Sequence, residues 1–196
     1  TFIGEEDVCL VLGDNIFCGF EREFFDISLN KDPGAYIFAY QVSDPERYGN
    51  VKFSDDGCVQ EIIEKPKTPL SKYAITGLYF YDETVIEKAK ELKVSDRGEL
   101  EITDLNNKYL SEGKLFVEKI NSNATWLDAG TIDSLNEASS YIQTIEKRQG
   151  QKIGLPEEVA WRKGWINDEL LERIAGGLMK SGYGRYLMDL MSFKNC

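Results

Sequence analysis

The sequence predicts an α/β protein: a mixed sheet flanked by helices, with an inserted β-hairpin and a C-terminal helical appendage. Three observations carry this expectation. β-rich apolar runs alternate with helix-spaced segments. Asp55-Asp56-Gly57 separates two β-prone runs at 50–54 and 58–64, and Asp-Gly between such runs signals a hairpin. After Gly150 the strand-like runs stop and short amphipathic segments follow.

The elements are expected in this order. Val8 to Leu12 is continuously apolar, as in a strand buried on both faces of a parallel sheet. Ala35 to Val42 is a second β-prone run, and the hairpin follows. Tyr73 to Tyr81 is another. A helix then starts at Asp82 as N-cap, with Val85, Ile86, Ala89 and Leu92 on its buried face. A second helix covers Ile102 to Leu110, turning Ile102, Leu105, Tyr109 and Leu110 inward and stopping at Gly113. Lys114 to Ile120 reads as a strand. Thr131 caps a long helix with Ile132, Leu135, Ser139, Ile142 and Ile145 at helical spacing, ended by Gly150. Residues 1–150 therefore form one α/β region. In 151–196, Pro156-Glu157-Glu158 and Asn167-Asp168-Glu169 open short helices, and Leu187, Leu190 and Met191 belong to a last one. Trp161 and Trp165 read as packing residues. Glu5-Glu6-Asp7 runs straight into the first strand with no initiator Met, as in a fragment beginning in the middle of a fold.

Composition narrows the function. The chain has 196 residues, enough for one domain with a small appendage. Its formal net charge of −11 disfavours nucleic acid or an anionic membrane as partner. No segment is long and apolar enough to span a bilayer, and no signal peptide opens the chain. Cys9, Cys18, Cys58 and Cys196 lack CxxC spacing and read as reduced thiols of a cytoplasmic protein. The absence of histidine removes His-based triads and His metal sites. Any cation must be held by oxygen, which favours Mg2+ or Mn2+ over zinc.

Asp14, in Leu12-Gly13-Asp14-Asn15, and Asp128, in Trp126-Leu127-Asp128-Ala129-Gly130, each follow an apolar strand-like run. Carboxylates there point into the crevice where open α/β sheets bind ligands. Two of them suit one Mg2+, which takes one or two carboxylates plus substrate phosphates. Lys65, in Glu64-Lys65-Pro66, is a mobile charge suited to a phosphate, and Glu64 can accept from sugar hydroxyls. Pro66 is expected to keep Lys65 extended. Gly49, in Arg47-Tyr48-Gly49, allows close approach of a ligand. Thr76-Gly77 interrupts a β-rich run, as at a bulge or beside a ligand. Arg97, in a loop before a helix, can fork a phosphate. Taken singly, these are more simply a solvated ion pair, turns and a surface loop.

Taken together and in order, the segments LGDNIF (12–17), FAYQVSDPERYG (38–49), EKP (64–66), YAITGLYFYD (73–82), RGELEITDLN (97–106) and WLDAGT (126–131) resemble the glucose-1-phosphate thymidylyltransferases. The tail segments EKRQG (146–150) and YGRYL (183–187) match as well. The resemblance covers nearly the whole chain. LGDN and WLDAG mark the wider nucleotidyltransferase group, whereas RGELEITD and the tail are specific to the thymidylyl branch. It implies a Rossmann-like nucleotidyltransferase sheet, 1–150 being the sugar-phosphate and metal half of the catalytic domain and 151–196 a subunit-contact or regulatory region. It implies transfer of a thymidylyl group from dTTP to α-D-glucose 1-phosphate, towards dTDP-L-rhamnose and related deoxysugars, by a homotetramer. Asp14 and Asp128 would hold Mg2+, and Lys65 and Arg97 would neutralise the sugar phosphate. Glu64 would hold glucose hydroxyls, Gly49 and Ile75 would offer backbone contacts, and Thr76, Gly77 and Trp126 complete the substrate-binding set.

One departure matters. The family's N-terminal glycine-rich loop, of the G-G-x-G-T-R-L kind, and the lysine after it are not in this sequence. The expectation is therefore an N-terminally truncated chain, inactive by itself, with unpaired sheet edges. The alternatives are a non-catalytic sugar-phosphate-binding protein and a UTP- or CTP-using enzyme.

Overall fold

The computed structural model describes residues 3–4, 6–19 and 32–193. Glu5 and Cys196 lie outside the described residues, while Cys9, Cys18 and Cys58 are free. The chain divides into two compact units, Thr1–Ala138 and Ser139–Cys196.

The first unit is built on a six-stranded mixed sheet. Its strands are β1 (Val8–Val11), β3 (Ala35–Gln41), β4 (Gly49–Phe53), β5 (Val59–Glu64), β6 (Tyr73–Tyr81) and β7 (Leu115–Lys119). The order is β5-β4-β6-β3-β7, with β1 paired to β6. β3 and β7 run parallel, and the other pairs are antiparallel. The parallel pair requires a crossover, and two helices supply it: α1 (Val85–Lys90) and α2 (Ile102–Ser111). A separate two-stranded ribbon joins β2 (Asn15–Cys18) to β8 (Thr125–Asp128).

Both faces of β3 are buried, which its near-continuous apolar run anticipates. Ala35, Ile37 and Ala39 enter one core with Val51, Ile62, Tyr79, Leu105 and Tyr109. Phe38, at the alternate register, enters a second core with Leu78, Ile120 and Ala124. The hairpin forms as expected: Gly57 N–H donates to Ser54 O at 2.9 Å, and Gly57 has φ +86°.

Three local expectations are corrected. The first concerns the apolar run at β1, which is antiparallel to β6 and not buried on both faces; Leu10 and Val11 are 37% and 52% exposed. An apolar run marks a strand but does not reveal its neighbours, and β6 is the ladder partner of β1 among the described residues. The second concerns α1, whose N-cap is Thr84 rather than Asp82. Asp82 instead accepts from the Thr84 amide at 3.0 Å and from the Tyr109 hydroxyl at 2.9 Å, so it braces the turn before the helix. Ala89 is exposed, and Leu92 lies past the helix end but packs on the core. The third concerns α3 (Ile132–Gln149), which has its predicted Thr131 cap, Thr131 Oγ1 accepting from Ser134 N–H at 3.2 Å. Its spacing held an apolar face, yet Ile132, Leu135 and Ser139 are exposed.

The second unit contains α4 (Pro156–Arg162), α5 (Asp168–Gly177) and α6 (Tyr183–Phe193) around Leu155, Trp161, Leu171, Ala175 and Leu187. Asn167 caps α5, its side chain accepting from Leu170 N–H. Trp161 packs as expected, whereas Trp165 is exposed. Among the described residues no helix is long and apolar enough to cross a membrane.

The tyrosines of the sheet carry a pH consequence. Burial pushes the hydroxyls of Tyr79, Tyr81 and Tyr109 well above the ordinary value of 10.0; Glu64 and Asp14 add to the effect at Tyr79. Burial also raises Tyr48, to about 12. A folded-state value above the unfolded one makes their contribution complete below 10.0 and progressively lost as pH rises through the raised values. Alkaline unfolding should therefore release tyrosinate absorbance together with the loss of circular dichroism. Ionisation of Tyr79, Tyr81 or Tyr109 at pH 10.0 in a still-folded chain, followed through each ring's own NMR signals, would contradict this reading.

Candidate active site

β6 is longer than either neighbour on one of its edges. β4 meets that edge at Ala74, and β1 takes it from Leu78 to Tyr81. Gly77 lies in the gap, where its backbone has no strand partner on that edge. Its N–H donates instead to Asn15 Oδ1 at 2.8 Å, and its carbonyl accepts from the Leu12 amide at 2.9 Å. The Asn15 side chain thus substitutes for a strand, and the loop between β1 and β2 is drawn onto the sheet edge. Glycine is required there, because a Cβ on residue 77 would stand 2.6 Å from Asn15 Cγ.

The same loop carries Asp14. Register pairing places Asn15 opposite Asp128 in the β2–β8 ribbon, and Ala129 N–H donates to Asp14 O at 2.7 Å. The two carboxylates consequently converge over Gly130. A Cβ built there would lie 3.1 Å from Asp128 Oδ1 and 3.2 Å from Asp14 Oδ2. Asn15 fixes this end of the site further, donating to Asp14 Oδ1 at 2.9 Å and accepting from Trp126 Nε1 at 2.6 Å. Trp126 is buried, with Tyr48 edge-on at 5.0 Å and Tyr40 at 6.0 Å.

Opposite lies the end of the hairpin. Gly49 pairs with Glu64 across β4 and β5. Glu64 Oε2 accepts from Thr103 Oγ1 at 2.5 Å, in the first turn of α2. A Cβ on Gly49 would come within 3.2 Å of both atoms. Lys65 is not extended. Its φ is +41°, in the left-handed region that residues other than glycine seldom occupy. Its amide remains bound to Tyr48 O at 3.1 Å, and Pro66 has no N–H with which to continue the ladder. The chain therefore turns at Lys65, leaving its ammonium 4.0 Å from Glu64 Oε1.

An open cavity of about 530 Å³ joins the two ends, within the range of small-molecule sites. Asp14, Gly49, Glu64, Lys65, Ile75, Gly77, Trp126 and Asp128, singled out in the sequence, all line it. Thr76 does not: it is fully buried, and its Oγ1 has no hydrogen-bond partner. Arg97 is not a lining residue either. It is held by acidic groups, 3.5 Å from Glu101 and 3.9 Å from Glu64, which places it beside the wall that Glu64 forms.

Of the other lining residues, Asn15, Thr103 and Arg47 orient the charged groups. Asn15 has no chemical signature of its own within LGDN, although the glycine in the middle of β6 signals that something approaches the strand. Thr103 is an ordinary helix position by sequence. Arg47 flanks Gly49 in sequence, yet it joins Asp44, at 2.9 Å, to Asp128, at 3.5 Å. The Asp44 hydrogen bond is the main cause of its raised pKa. The Asp-x-x-Arg spacing was the available signal.

The oxygen-only donor set suits a divalent cation of the magnesium type: two carboxylates meet at one point, with open cavity beside them. Among the described residues there is no cluster of three or more acidic or cysteine ligands. Such a cation would complete its shell with ligand oxygens, and the facing Glu64 and Lys65 suit hydroxyls and a phosphate.

A mixed α/β sheet thus carries a carboxylate pair facing a Glu-Lys pair across one cleft. The chain belongs to the nucleotidyl transferase family, whose sequence model matches residues 1–145. Over 194 residues it is 51% identical to a glucose-1-phosphate thymidylyltransferase of Mycobacterium tuberculosis, covering 96% of this chain and 66% of that protein. A glucose-1-phosphate thymidylyltransferase of Neisseria meningitidis is 49% identical, over 97% of this chain and 66% of that one. A solved Bacillus anthracis structure, named for the same activity and holding a sucrose, superposes with a TM-score of 0.64 at 44% identity, covering 71% of this chain and 56% of its own. The chain thus spans 66% of the length of these two curated relatives.

Proposed function

We propose that the protein carrying this chain transfers a thymidylyl group from dTTP to α-D-glucose 1-phosphate, giving dTDP-glucose and pyrophosphate on the way to dTDP-rhamnose and related deoxysugars. One observation supports this above the rest: Asp14 and Asp128 converge over Gly130 in the same cavity as Glu64 and Lys65.

A phosphate oxygen of the sugar phosphate attacks the α-phosphorus of dTTP. The new P–O bond forms as the bond to the β-phosphate oxygen breaks, and pyrophosphate leaves. Both reactants are anions, so placing them together and offsetting their charge is the main task. Lys65 reaches the sugar phosphate from the end of β5, its left-handed turn aiming the ammonium into the cavity. Arg97 adds charge from the rim. Glu64, oriented by Thr103, accepts from glucose hydroxyls, while the backbones of Gly49, Ile75 and Gly77 border the sugar and Trp126 walls it. Asp14 and Asp128 would hold Mg2+, which would offset the charge of the triphosphate. Arg97 can serve the phosphate only by leaving Glu101, so its present ion pairs describe a resting arrangement.

In the same reading, 1–150 is the sugar-phosphate and metal half of a catalytic domain, 151–196 is a subunit-contact or regulatory region, and the enzyme is a cytoplasmic homotetramer. With Mg2+ and glucose 1-phosphate, the full-length protein carrying this chain should release pyrophosphate from dTTP faster than from UTP or CTP. Release from none of the three would overturn the proposal, and a preference for UTP or CTP would reassign the base.

A further inference from the structure

We infer that Arg47 is an internal counter-cation for Asp128 and competes with a bare divalent cation for the Asp14–Asp128 pair. The inference rests on the metal assignment proposed above and adds a residue to it.

Asp128 uses its two oxygens differently. Oδ1 accepts from Gly130 N–H at 3.2 Å and is the nearer of the two to the point over Gly130 that Asp14 approaches, at 3.1 Å against 3.6 Å for Oδ2. Oδ2 faces the guanidinium of Arg47 at 3.5 Å. The carboxylate offered to a cation on one side is thus already partly neutralised on the other. The two contacts of Arg47 are unequal. Asp44 is held at 2.9 Å through one guanidinium nitrogen, and Asp128 at 3.5 Å through the other, at the outer limit of a hydrogen bond. Arg47 is 38% exposed, so it can leave Asp128 while remaining on Asp44. Stacking over Tyr48, at 5.3 Å, keeps the group near the cavity in either position.

The physical consequence follows from charge. Without a cation, two carboxylates meeting over Gly130 repel one another, and Arg47 relieves this. A cation arriving alone meets a positive group that is never deprotonated. Phosphate oxygens change the balance, because they offer the planar guanidinium a bidentate partner. The site is thereby biased against an isolated cation and towards one that enters with a phosphorylated ligand.

The test is a Mn2+ titration without nucleotide, read from the electron paramagnetic resonance signal of the free ion. Parent, Arg47→Gln, Arg47→Lys and Asp128→Asn proteins are compared, with thermal melts confirming that each is folded. Arg47→Gln should bind Mn2+ about tenfold more tightly, the size of one unit charge acting across a few ångströms of water-rich cavity. Arg47→Lys keeps the charge and should stay close to the parent. Unchanged or weaker binding in Arg47→Gln would overturn the inference, as would an equal gain in Arg47→Lys. If Asp128→Asn binds Mn2+ as the parent does, the metal assignment itself fails.

Discussion

Asp128→Asn in the full-length protein carrying this chain is expected to lower pyrophosphate release by about 10³-fold, comparable to losing a main electrostatic group of a transition state, while leaving the fold intact. The substitution keeps shape. The new carboxamide oxygen can still accept from Gly130 N–H, and the β2–β8 register does not depend on the side-chain charge. What disappears is a negative charge at the point where Asp14 and Asp128 meet. Arg47 also loses its partner on that side, which leaves Asp44 to hold it. Rates at saturating dTTP and glucose 1-phosphate, alongside thermal melts, check this. A loss smaller than about tenfold, or roughly 1.4 kcal/mol, in a normally folded protein would remove Asp128 from the metal role.

Gly77→Ala is the second large effect, and it should appear in stability as well as in the site. The new methyl would sit 2.6 Å from Asn15 Cγ and 2.7 Å from its two terminal atoms. Asn15 cannot move aside without cost. Its Oδ1 serves the Gly77 amide and the Trp126 indole, and its Nδ2 serves Asp14. Displacing it strands a buried indole N–H and a strand amide, so a destabilisation of about 2–3 kcal/mol is expected from overpacking and lost hydrogen bonds. The clash and the bonds share one partner, which makes the pair strongly non-additive. Asn15→Ala alone should destabilise, whereas Gly77→Ala placed on Asn15→Ala should cost little more. Additive losses in the double mutant would show that Asn15 is not what Gly77 accommodates.

The contrast between what the sequence disclosed and what it hid has a physical basis. Tyr73–Tyr81 and the 49–64 hairpin were legible because alternation and an Asp-Gly turn act over a few residues. Val8–Val11 was legible as a strand but not in its direction or burial, which depend on partners far along the chain. The exposed Ile132 and Leu135 make the same point for helices: spacing defines a face without saying what covers it. In the site, the charged residues stood out because Asp, Glu and Lys beside glycine or proline are chemically conspicuous. The residues that orient them did not. Asn15, Arg47 and Thr103 act through contacts 62, 81 and 39 positions away in sequence, and no local pattern encodes such pairings. Lys65 turned left-handed against its pre-proline preference because a tertiary hydrogen bond to Tyr48 fixes its amide.

The β2–β8 ribbon carries Trp126 and Asp128 in one strand, and the other begins at Asn15, directly after Asp14. Hydrogen bonds through Asn15 and Ala129 tie these side chains into one small plate. Glu64 and Lys65 stand at the end of the hairpin, whose β4 pairs with β6, the same strand whose Gly77 is held by Asn15. Arg47 and Tyr48, just before β4, also reach Asp128 and Trp126. Plate and hairpin are thus clamped to one strand, so the spacing across the cleft is set by the sheet itself rather than by whatever occupies it.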